Sequence, residues 1–313
     1  MQITFRVKNE YDGKEIRDIL KAELNMSNNM IKKVKLYGTM DVNGVHRRVI
    51  DTVNAGDEIF CAYEDDSGKL KSDSGIKIYY EDDWFAVCEK PSGMVTHPTH
   101  GHLDDSLLTA LSDNSLHPVT RLDRETSGLI AIAKNGYAHN QICEGQMQKK
   151  YLAVQYGRFD DDFGTIDLPI KRRPDTIMIR DVDPEGYPSV THYKVLFYDD
   201  INNISLTEFV LETGRCHQIR VHSTYLKHPL VGDGLYGPNS KDNPCDLFPN
   251  SKTMDDKIGR QALHAYHLEL CHPISGDKML FKSELPDDMM GLFDVKYKSD
   301  VRKALDEVLG KVD

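Results

Sequence analysis

HPVTRLDRETSGLIAIAKN, residues 117–135, is the stretch of this 313-residue sequence that decides the interpretation of its fold. An acidic residue, Asp123, lies between Arg121 and Arg124, and the apolar segment 129–133 follows it. A short apolar run after turn residues predicts a strand, and Asp123 would lie in the turn just before that strand. Flanking guanidinium groups favour an ionised carboxylate, the form that a nucleophile or a general base requires. An aspartate in such a turn can also simply order its loop, so the pattern permits catalysis without establishing it.

Apolar segments on both sides of this stretch predict the secondary structure of a large domain. Strands are expected at 76–80, 84–89, 129–133, 151–156, 190–198, 204–212 and 263–270, and helices near 135–148 and 215–227. We expect Thr213 to cap the second helix, with Arg215 at its start. The irregular order of strands and helices argues against a doubly wound sheet, and we predict an α+β domain with a mixed, largely antiparallel sheet.

A small domain precedes the large one in the chain. The polar segment 64–75 contains Gly and Ser and lacks apolar periodicity, which is typical of a linker. We therefore divide the sequence into an N-terminal domain with its linker, residues 1–72, and a larger domain, residues 73–313.

Two helices and a hairpin are predicted in the N-terminal domain. Apolar residues at helical spacing indicate one helix across 16–24 and a second that opens at Ser27 and stops at Gly38. Asn43-Gly44 between apolar residues is typical of a tight β-hairpin, and a third strand is expected after it. Basic side chains lie off the apolar side of the second helix and along the hairpin, namely Lys32, Lys33, Lys35, Arg47 and Arg48.

Composition excludes several classes of protein. The formal net charge of −11 argues against a surface that attracts nucleic acid everywhere, so RNA binding would depend on local basic clusters. No apolar run approaches the roughly 18 residues needed to cross a bilayer, and the first residues are too polar for a signal peptide. We expect a soluble, cytoplasmic protein. The six cysteines form no CxxC pair, which indicates reduced thiols.

Other catalytic signatures are missing from the sequence. It contains no P-loop, no GxGxxG and no GxSxG, so phosphate hydrolysis, dinucleotide chemistry and ester hydrolysis have no support. His264 and His267 lie three residues apart on a predicted strand, where their side chains would point to opposite faces. We therefore expect no metal site.

Several separated motifs resemble, in one consistent order, the signature of the RluA-type pseudouridine synthases. They are His117-Pro118, Arg121-Leu122-Asp123 and 126–129 in the opening stretch, then Lys150-Tyr151, LETGRCHQIRVH at 211–222, GDGLYG at 232–237 and RQALHAYHLELCHP at 260–273. The resemblance spans the chain from about residue 77 to about residue 285. Two positions depart from the family pattern, Thr120 before the RLD motif and Cys216 between Gly-Arg and His-Gln, and neither carries an assigned role.

The resemblance implies an RNA-modifying isomerase with the pseudouridine synthase fold, whose active cleft crosses the middle of the sheet. Asp123 of RLD would be the catalytic residue, Tyr151 would pack on the flipped base and help remove the proton from carbon five, and Arg220 of HQIR would pair with Asp123. Substrate binding is assigned to Arg121, Arg215, His217 and Lys150. Without the resemblance, Arg220 would be a helix-surface charge and Tyr151 an ordinary strand residue.

The N-terminal helices, hairpin and strand resemble an S-four-like RNA-binding domain over roughly residues 12 to 61. Such a domain presents its second helix and its hairpin to RNA, so the resemblance implies that the basic side chains named above contact RNA. A purely structural cap is the alternative interpretation.

Isomerising uridine to pseudouridine breaks the bond from ribose to the base nitrogen and rejoins the base through carbon five. The reaction needs no redox change and no external group, so we expect no cofactor. Asp123 could attack the ribose or the base, or assist by deprotonation, and these routes stay open.

The expected partner is RNA. Large-subunit ribosomal RNA is the commonest substrate of the family that the motifs resemble, transfer RNA is the alternative, and a monomer is expected. Two other functions remain open, a glycoside hydrolase and a catalytically inactive RNA-binding assembly factor. The hydrolase needs a second carboxylate across the scissile bond, for which Glu125 is not an obvious candidate.

Overall fold

The computed structural model describes residues 2–63, 69–99, 101–242, 244 and 246–310. The acidic run 64–66, part of the predicted linker, and Cys245 lie outside the described residues. Below, residues 2–63 are called the N-terminal unit and residues 69–310 the larger unit.

The N-terminal unit is a four-stranded antiparallel sheet with two helices. Its elements are β1 Gln2–Arg6, α1 Ile16–Ala22, α2 Asn28–Tyr37, β2 Thr39–Val42, β3 Val45–His46 and β4 Glu58–Ala62, and the strand order is β1-β4-β2-β3. Both predicted helices, the hairpin and the following strand are confirmed, whereas β1 was not predicted. It alternates exposed and half-buried residues, so it carries no run of buried apolar side chains.

Local chemistry explains the boundaries of α2 and of the hairpin. The Ser27 side chain accepts a hydrogen bond from the Met30 amide at 3.2 Å, and the helix ends before Gly38. At the turn, Asn43 and Gly44 have φ angles of 51° and 77°, the left-handed values that a two-residue hairpin turn requires.

The two units share one hydrophobic core. The buried side chains of α1, α2, β2 and β4 pack together with Tyr137 of the larger unit, and Trp84 packs against the same cluster. The Gln141 side chain also donates to the Leu24 carbonyl at 2.8 Å, and Asn140 donates to the Asn25 carbonyl at 3.1 Å.

The larger unit is built on a ten-stranded sheet. Its elements are β5 Lys77–Glu81, β6 Phe85–Lys90, α3 Leu107–Leu111, β7 His117–Pro118, β8 Ser127–Ala133, α4 Gly136–Glu144, β9 Gln148–Tyr156, β10 Phe163–Asp167, β11 Ile170–Arg172, β12 Arg180–Val182, β13 Val190–Asp199, β14 Ile204–Leu211, α5 Gln218–Tyr225, α6 Ser251–Ile258, β15 Leu263–Cys271, β16 Lys278–Lys282, α7 Asp287–Met290 and α8 Lys298–Leu309. The strand order is β10-β13-β14-β9-β15-β8-β6-β5, with β16 paired to β15 and β7 to β8. Strands β11 and β12 form a separate hairpin.

The sheet is mixed and largely antiparallel, as predicted, because β15 and β8 are the one parallel pair among the described strands. Their close approach explains a glycine of the opening motif. Gly128 has φ 119°, and a Cβ there would lie 2.3 Å from the Ala265 carbonyl oxygen. The parallel pair therefore brings the end of the Asp123 loop against the centre of the sheet.

All seven predicted strands are confirmed, with shifted ends. Strand β9 begins at Gln148, so Tyr151 lies inside the strand instead of opening it. Helix α4 ends at Glu144, earlier than predicted, because Gly145 there is extended at φ −70° and ψ 165°.

The predicted start of the next helix is wrong. Helix α5 begins at Gln218, after His217 in a left-handed conformation at φ 60°. Thr213 is not its cap, because the Thr213 hydroxyl accepts from the Val190 amide and donates to the Gln218 side chain. Arg215 lies in the turn before the helix, where its amide also donates to Gln218.

Candidate active site

Asp123 lies in the turn that leads into β8. Its backbone carbonyl accepts a hydrogen bond from the Thr126 amide at 3.1 Å, while the neighbouring Leu122 side chain is buried. The Asp123 side chain is 29% exposed, so the turn presents a carboxylate that a ligand can reach. Because β8 itself is fully buried, the strand gives this turn a rigid support.

Arg220 of α5 pairs with this carboxylate across 97 residues of sequence. Its Nη1 donates to Asp123 Oδ2 at 2.8 Å, and its side chain is only 5% exposed. The same guanidinium donates twice to Asp233, at 2.7 and 2.8 Å, and the Asp233 side chain is fully buried. Burial alone would lower the pKa of Arg220, but the two carboxylates outweigh it and raise the pKa.

Tyr151 reaches the same place from the middle of β9. It is buried, and together with Asp123 and Arg220 it lines one cleft. Burial, and secondly the charge of Asp123, raises the pKa of Tyr151, so its phenol stays protonated at neutral pH. The three residues predicted to form the catalytic group therefore meet in the folded chain.

The cleft has a volume of about 450 Å³ and lies over the centre of the sheet. That volume is within the range of roughly 300–1,000 Å³ that is typical of small-molecule sites. Its other charged or titratable lining residues are His97, Arg121, Arg124, Lys149, Arg215, Cys216 and His217. Among the described residues that line it, Asp123 is the single carboxylate.

Three of the four predicted substrate-binding residues line the cleft. Arg121 and Arg215 are exposed there, and Arg121 has no ion-pair partner among the described residues. His217 Nε2 lies 3.8 Å from Asp123 Oδ2, and its Nδ1 is hydrogen-bonded to the Tyr236 hydroxyl at 2.8 Å. Burial lowers the pKa of His217, although the charge of Asp123 works in the opposite direction.

Lys150 is not part of the cleft, and its neighbour Lys149 is. Successive side chains of a strand point to opposite faces, so Lys149 and Tyr151 share a side that Lys150 cannot. Lys150 Nζ lies 3.7 Å from Glu208 instead. The structure therefore gives no support to substrate binding by Lys150 and places Lys149 in the cleft lining.

Two further residues that support Asp123 were not assigned from the sequence. Asp233 holds Arg220, and Gln261 Nε2 lies 3.5 Å from Asp123 Oδ2 and 2.7 Å from the Thr126 hydroxyl. Asp233 lies in GDGLYG and Gln261 in RQALHAYHLELCHP, two of the motifs that carried the resemblance. Their position in these motifs was the one feature of the sequence that could have pointed to the site.

The basic residues of the N-terminal unit lie away from this cleft. Lys32, Lys35 and Arg47 are exposed. Lys33 Nζ lies 5.5 Å from the centre of the Tyr63 ring, and Arg48 is paired with Asp51 at 3.1 Å.

Neither a metal site nor a second cleft carboxylate is found in the described part of the chain. No group of three or more His, Cys, Asp or Glu side chains is placed to hold a metal ion there. His264 is hydrogen-bonded to Ser127 and Ser283. Glu125 does not line the cleft and pairs with Arg124. Among the described helices, none has the length and apolar character to cross a membrane.

Comparison with known proteins gives consistent matches. Residues 84–225 match the family described as RNA pseudouridylate synthase. An uncharacterized RNA pseudouridine synthase of Bacillus subtilis, YjbO, is 35% identical over 288 residues, which cover 87% of this chain and 95% of that protein. Ribosomal large subunit pseudouridine synthase D of Escherichia coli O6:H1 is 34% identical and covers 98% of both chains.

A solved structure has a similar fold. The human RNA pseudouridylate synthase domain containing 1 superposes with a TM-score of 0.53 at 24% identity, over 68% of this chain and 85% of the other.

Proposed function

Because this chain belongs to the RNA pseudouridylate synthase family, we propose that it isomerises uridines of large-subunit ribosomal RNA with Asp123 as its catalytic carboxylate. Its relatives show that the chain is an RNA pseudouridine synthase. What we propose is the role of its residues and the identity of its RNA substrate. The observation that carries it is the meeting of Asp123, Arg220 and Tyr151 in one cleft, since each comes from a different element.

The reaction asks for a fixed carboxylate beside an unstacked nucleotide. The target uridine must leave its stack, at a cost of a few kcal/mol, before the bond from ribose to base can break. Asp123 then adds to the ribose or the base, or removes a proton, and the base turns and rejoins through carbon five. The proton leaves carbon five and the base nitrogen gains one, so the atoms balance without a redox partner.

The other cleft residues position the carboxylate, contact the base and bind the RNA in this proposal. Arg220 fixes the carboxylate, and the Tyr151 ring packs against the base. A protonated phenol must lose its own proton before it can accept the one from carbon five. Asp123, the one carboxylate among the described lining residues, would accept the phenol proton once it is free of the nucleotide. Exposed Arg121 and Arg215 contact the RNA backbone or fill the gap that the base leaves.

Residues 1–72 form, in this proposal, an S-four-like RNA-binding domain with its linker, and residues 73–313 form the catalytic domain. Lys32, Lys33, Lys35, Arg47 and Arg48 supply positive charge in a chain of net charge −11. Ribosomal RNA is favoured because several relatives are named as large-subunit pseudouridine synthases, and transfer RNA is the second candidate. The proposal includes a cytoplasmic location and a monomer, and the monomer is supported by a cleft whose described lining comes from one chain.

Tritium release tests the activity. RNA labelled at carbon five of uridine, taken from a strain that lacks the gene, should lose tritium with the wild-type protein and not with Asp123→Asn. The matched control is Asp160→Asn, because Asp160 is an exposed aspartate outside the cleft. Release by Asp123→Asn at the wild-type rate would remove Asp123 from its role.

Mapping identifies the substrate. Pseudouridines mapped across total RNA with and without the gene should differ in large-subunit ribosomal RNA. A difference confined to transfer RNA would contradict the proposed substrate, and no difference, together with RNA binding, would favour the inactive assembly factor.

A further inference from the structure

Lys149, the second residue of β9, lines the cleft and has no hydrogen-bond or ion-pair partner among the described residues. Two other cations of the cleft are paired. Arg220 donates to Asp123 at 2.8 Å, and Arg124 Nε lies 2.8 Å from a Glu125 carboxylate oxygen. The ammonium of Lys149 therefore lies at the cleft without a counter-charge from the described part of the chain.

The alternation of β9 separates Lys149 from its neighbour. Lys149 and Tyr151 lie on the same face of the strand, with Cα atoms about 7 Å apart, and Lys150 points to the opposite face. There Lys150 Nζ lies 3.7 Å from Glu208. Of these two adjacent lysines, the one that shares the cleft with Tyr151 is the one without a described carboxylate beside it.

A second unpaired cation lies on the same side of the cleft. Cys143 is close enough to Lys149 to act on its pKa, and the Cys143 thiol lies 3.9 Å from the Val119 carbonyl oxygen. Arg121, two residues after Val119, lines the cleft, is exposed and has no ion-pair partner among the described residues. Uncompensated positive charge is therefore concentrated beside the segment that leads to the Asp123 turn.

An unpaired ammonium in a half-buried position is unfavourable in the free protein. Burial lowers the pKa of Lys149, because the charged form loses part of its water. An apolar side chain of similar length would avoid this loss, whereas an anionic ligand would compensate for it. RNA carries a phosphate at every nucleotide, and a lysine binds phosphate as a compact point charge.

From this arrangement we infer that Lys149 binds a backbone phosphate next to the target uridine. The inference rests on the proposed function, because it takes that uridine to be bound beside Asp123. A phosphate is favoured over the uracil ring as the ligand, since the ring oxygens are neutral acceptors and the phosphate supplies the missing counter-charge. Lys149 thus contributes to the affinity for RNA and not to the chemical step.

The principal test uses Lys149→Met, which approximates the length of the side chain and removes its charge. The probe is a synthetic RNA stem-loop that carries the uridine located by mapping, and its Kd is measured in an Asp123→Asn background to prevent turnover. We expect the Kd to rise about tenfold at low salt, and the slope of log Kd against log salt to become shallower by about 0.7 to 1. In otherwise wild-type protein, kcat should stay within about twofold.

Lys150→Met is the matched comparison, because it removes the same charge from the opposite face of the same strand. Its Kd and its salt dependence should equal those of the wild type. Lys149→Met should unfold at the same temperature as the wild type or at a higher one, since it removes an unpaired charge. A purely structural role for Lys149 predicts the reverse, a lower unfolding temperature with unchanged Kd.

A chemical substitution in the RNA identifies the ligand of Lys149. A neutral methylphosphonate replaces, one at a time, each phosphate that flanks the uridine in the stem-loop. At the phosphate that Lys149 binds, this replacement should weaken binding by the wild type about tenfold and should not further weaken binding by Lys149→Met. At the other phosphates the two effects should add.

A folded Lys149→Met protein with the wild-type Kd would overturn the inference, and so would additive effects at every phosphate. A loss of kcat at unchanged Kd would overturn it too, because Lys149 would then act in the chemical step. If Lys149→Met does not fold, Lys149→Gln is measured in its place against the same expectations. Failure of the proposed function is distinguishable, since the wild type would then release no tritium, whereas failure of this inference leaves the wild type active.

Discussion

Asp233 accepts two hydrogen bonds, of 2.7 and 2.8 Å, from the Arg220 guanidinium, which also donates to Asp123. The Asp233 side chain is fully buried, and it further accepts from the backbone amides of Leu235 and Tyr236. One arginine therefore links a fully buried carboxylate to a partly exposed one. The exposed carboxylate does the chemistry in the proposed function, and the buried one determines where Arg220 can be.

Asp233→Asn should damage both stability and rate. An amide cannot accept from two guanidinium N–H groups as a carboxylate does, and the arginine would be left with less charge compensation. We expect the free energy of unfolding to drop by about 3 kcal/mol and kcat by about 100-fold. Thermal unfolding and single-turnover kinetics measure the two effects, with Asp160→Asn as the control. An unchanged kcat would show that Arg220 needs no support from Asp233.

Arg220→Lys should be nearly as harmful. Lysine carries the same charge but lacks the planar fork that serves Asp123 and Asp233 at once. We expect kcat to fall about 100-fold with a smaller change in KM. Arg302→Lys, on the exposed face of α8, is the matched control. Equal loss in both variants would point to a general effect of arginine replacement.

Tyr151→Phe separates packing from proton transfer. The variant keeps the ring that packs on the base and loses the hydroxyl, so RNA affinity should stay within about twofold while kcat falls about 100-fold. Tyr225→Phe, at a tyrosine that is half exposed outside the cleft, should have no effect. A fully active Tyr151→Phe would restrict Tyr151 to packing.

His217 should produce an acid limb in the pH profile. Burial lowers the pKa of His217 below its ordinary value of 6.5, so the ring is neutral at pH 7 and gains a proton only under more acidic conditions. The new positive charge, 3.8 Å from Asp123, would compete with Arg220 for the carboxylate. We expect kcat to decrease as pH falls, with a midpoint below 6.5, and His217→Gln to lack this limb. Superimposable profiles would contradict the prediction.

The exposed lysines of α2, Lys32 and Lys35, should affect RNA binding and not the chemical step. The double variant Lys32→Glu and Lys35→Glu should lower kcat/KM about tenfold at low salt with unchanged kcat, since exposed lysines act through phosphate contacts. The dependence on salt should also become shallower. Lys257→Glu, an exposed lysine of α6, is the control. A normal kcat/KM on long RNA would support the structural-cap interpretation.

Sequence patterns predicted the elements whose signals are local. The hairpin at Asn43-Gly44 depends on two residues that tolerate left-handed angles, and α2 depends on a serine cap, so both appeared in the sequence as in the structure. The central strands are runs of buried apolar side chains, as β8 illustrates. The meeting of Asp123 with Arg220 was available only through the resemblance, because no local rule joins residues 97 positions apart.

The errors arose where one residue of register or one unusual φ angle decides the result. Lys149 and Lys150 are indistinguishable by composition, and strand parity alone places the first in the cleft. His217 has a left-handed φ angle although it is not glycine, so α5 begins after it and not at the predicted cap. Asp233 is one of many aspartates in the sequence until folding buries it against Arg220.

Tyr137 belongs to the larger unit and yet packs in the hydrophobic core of the N-terminal unit. Movement of one unit away from the other would expose part of this shared core to water, which is unfavourable. If the proposed function holds, an RNA that contacts both the lysines of α2 and the cleft has to span the distance between them, so its shape contributes to its selection as well as its uridine. An RNA whose uridine enters the cleft while its backbone cannot reach these lysines would lose their phosphate contacts.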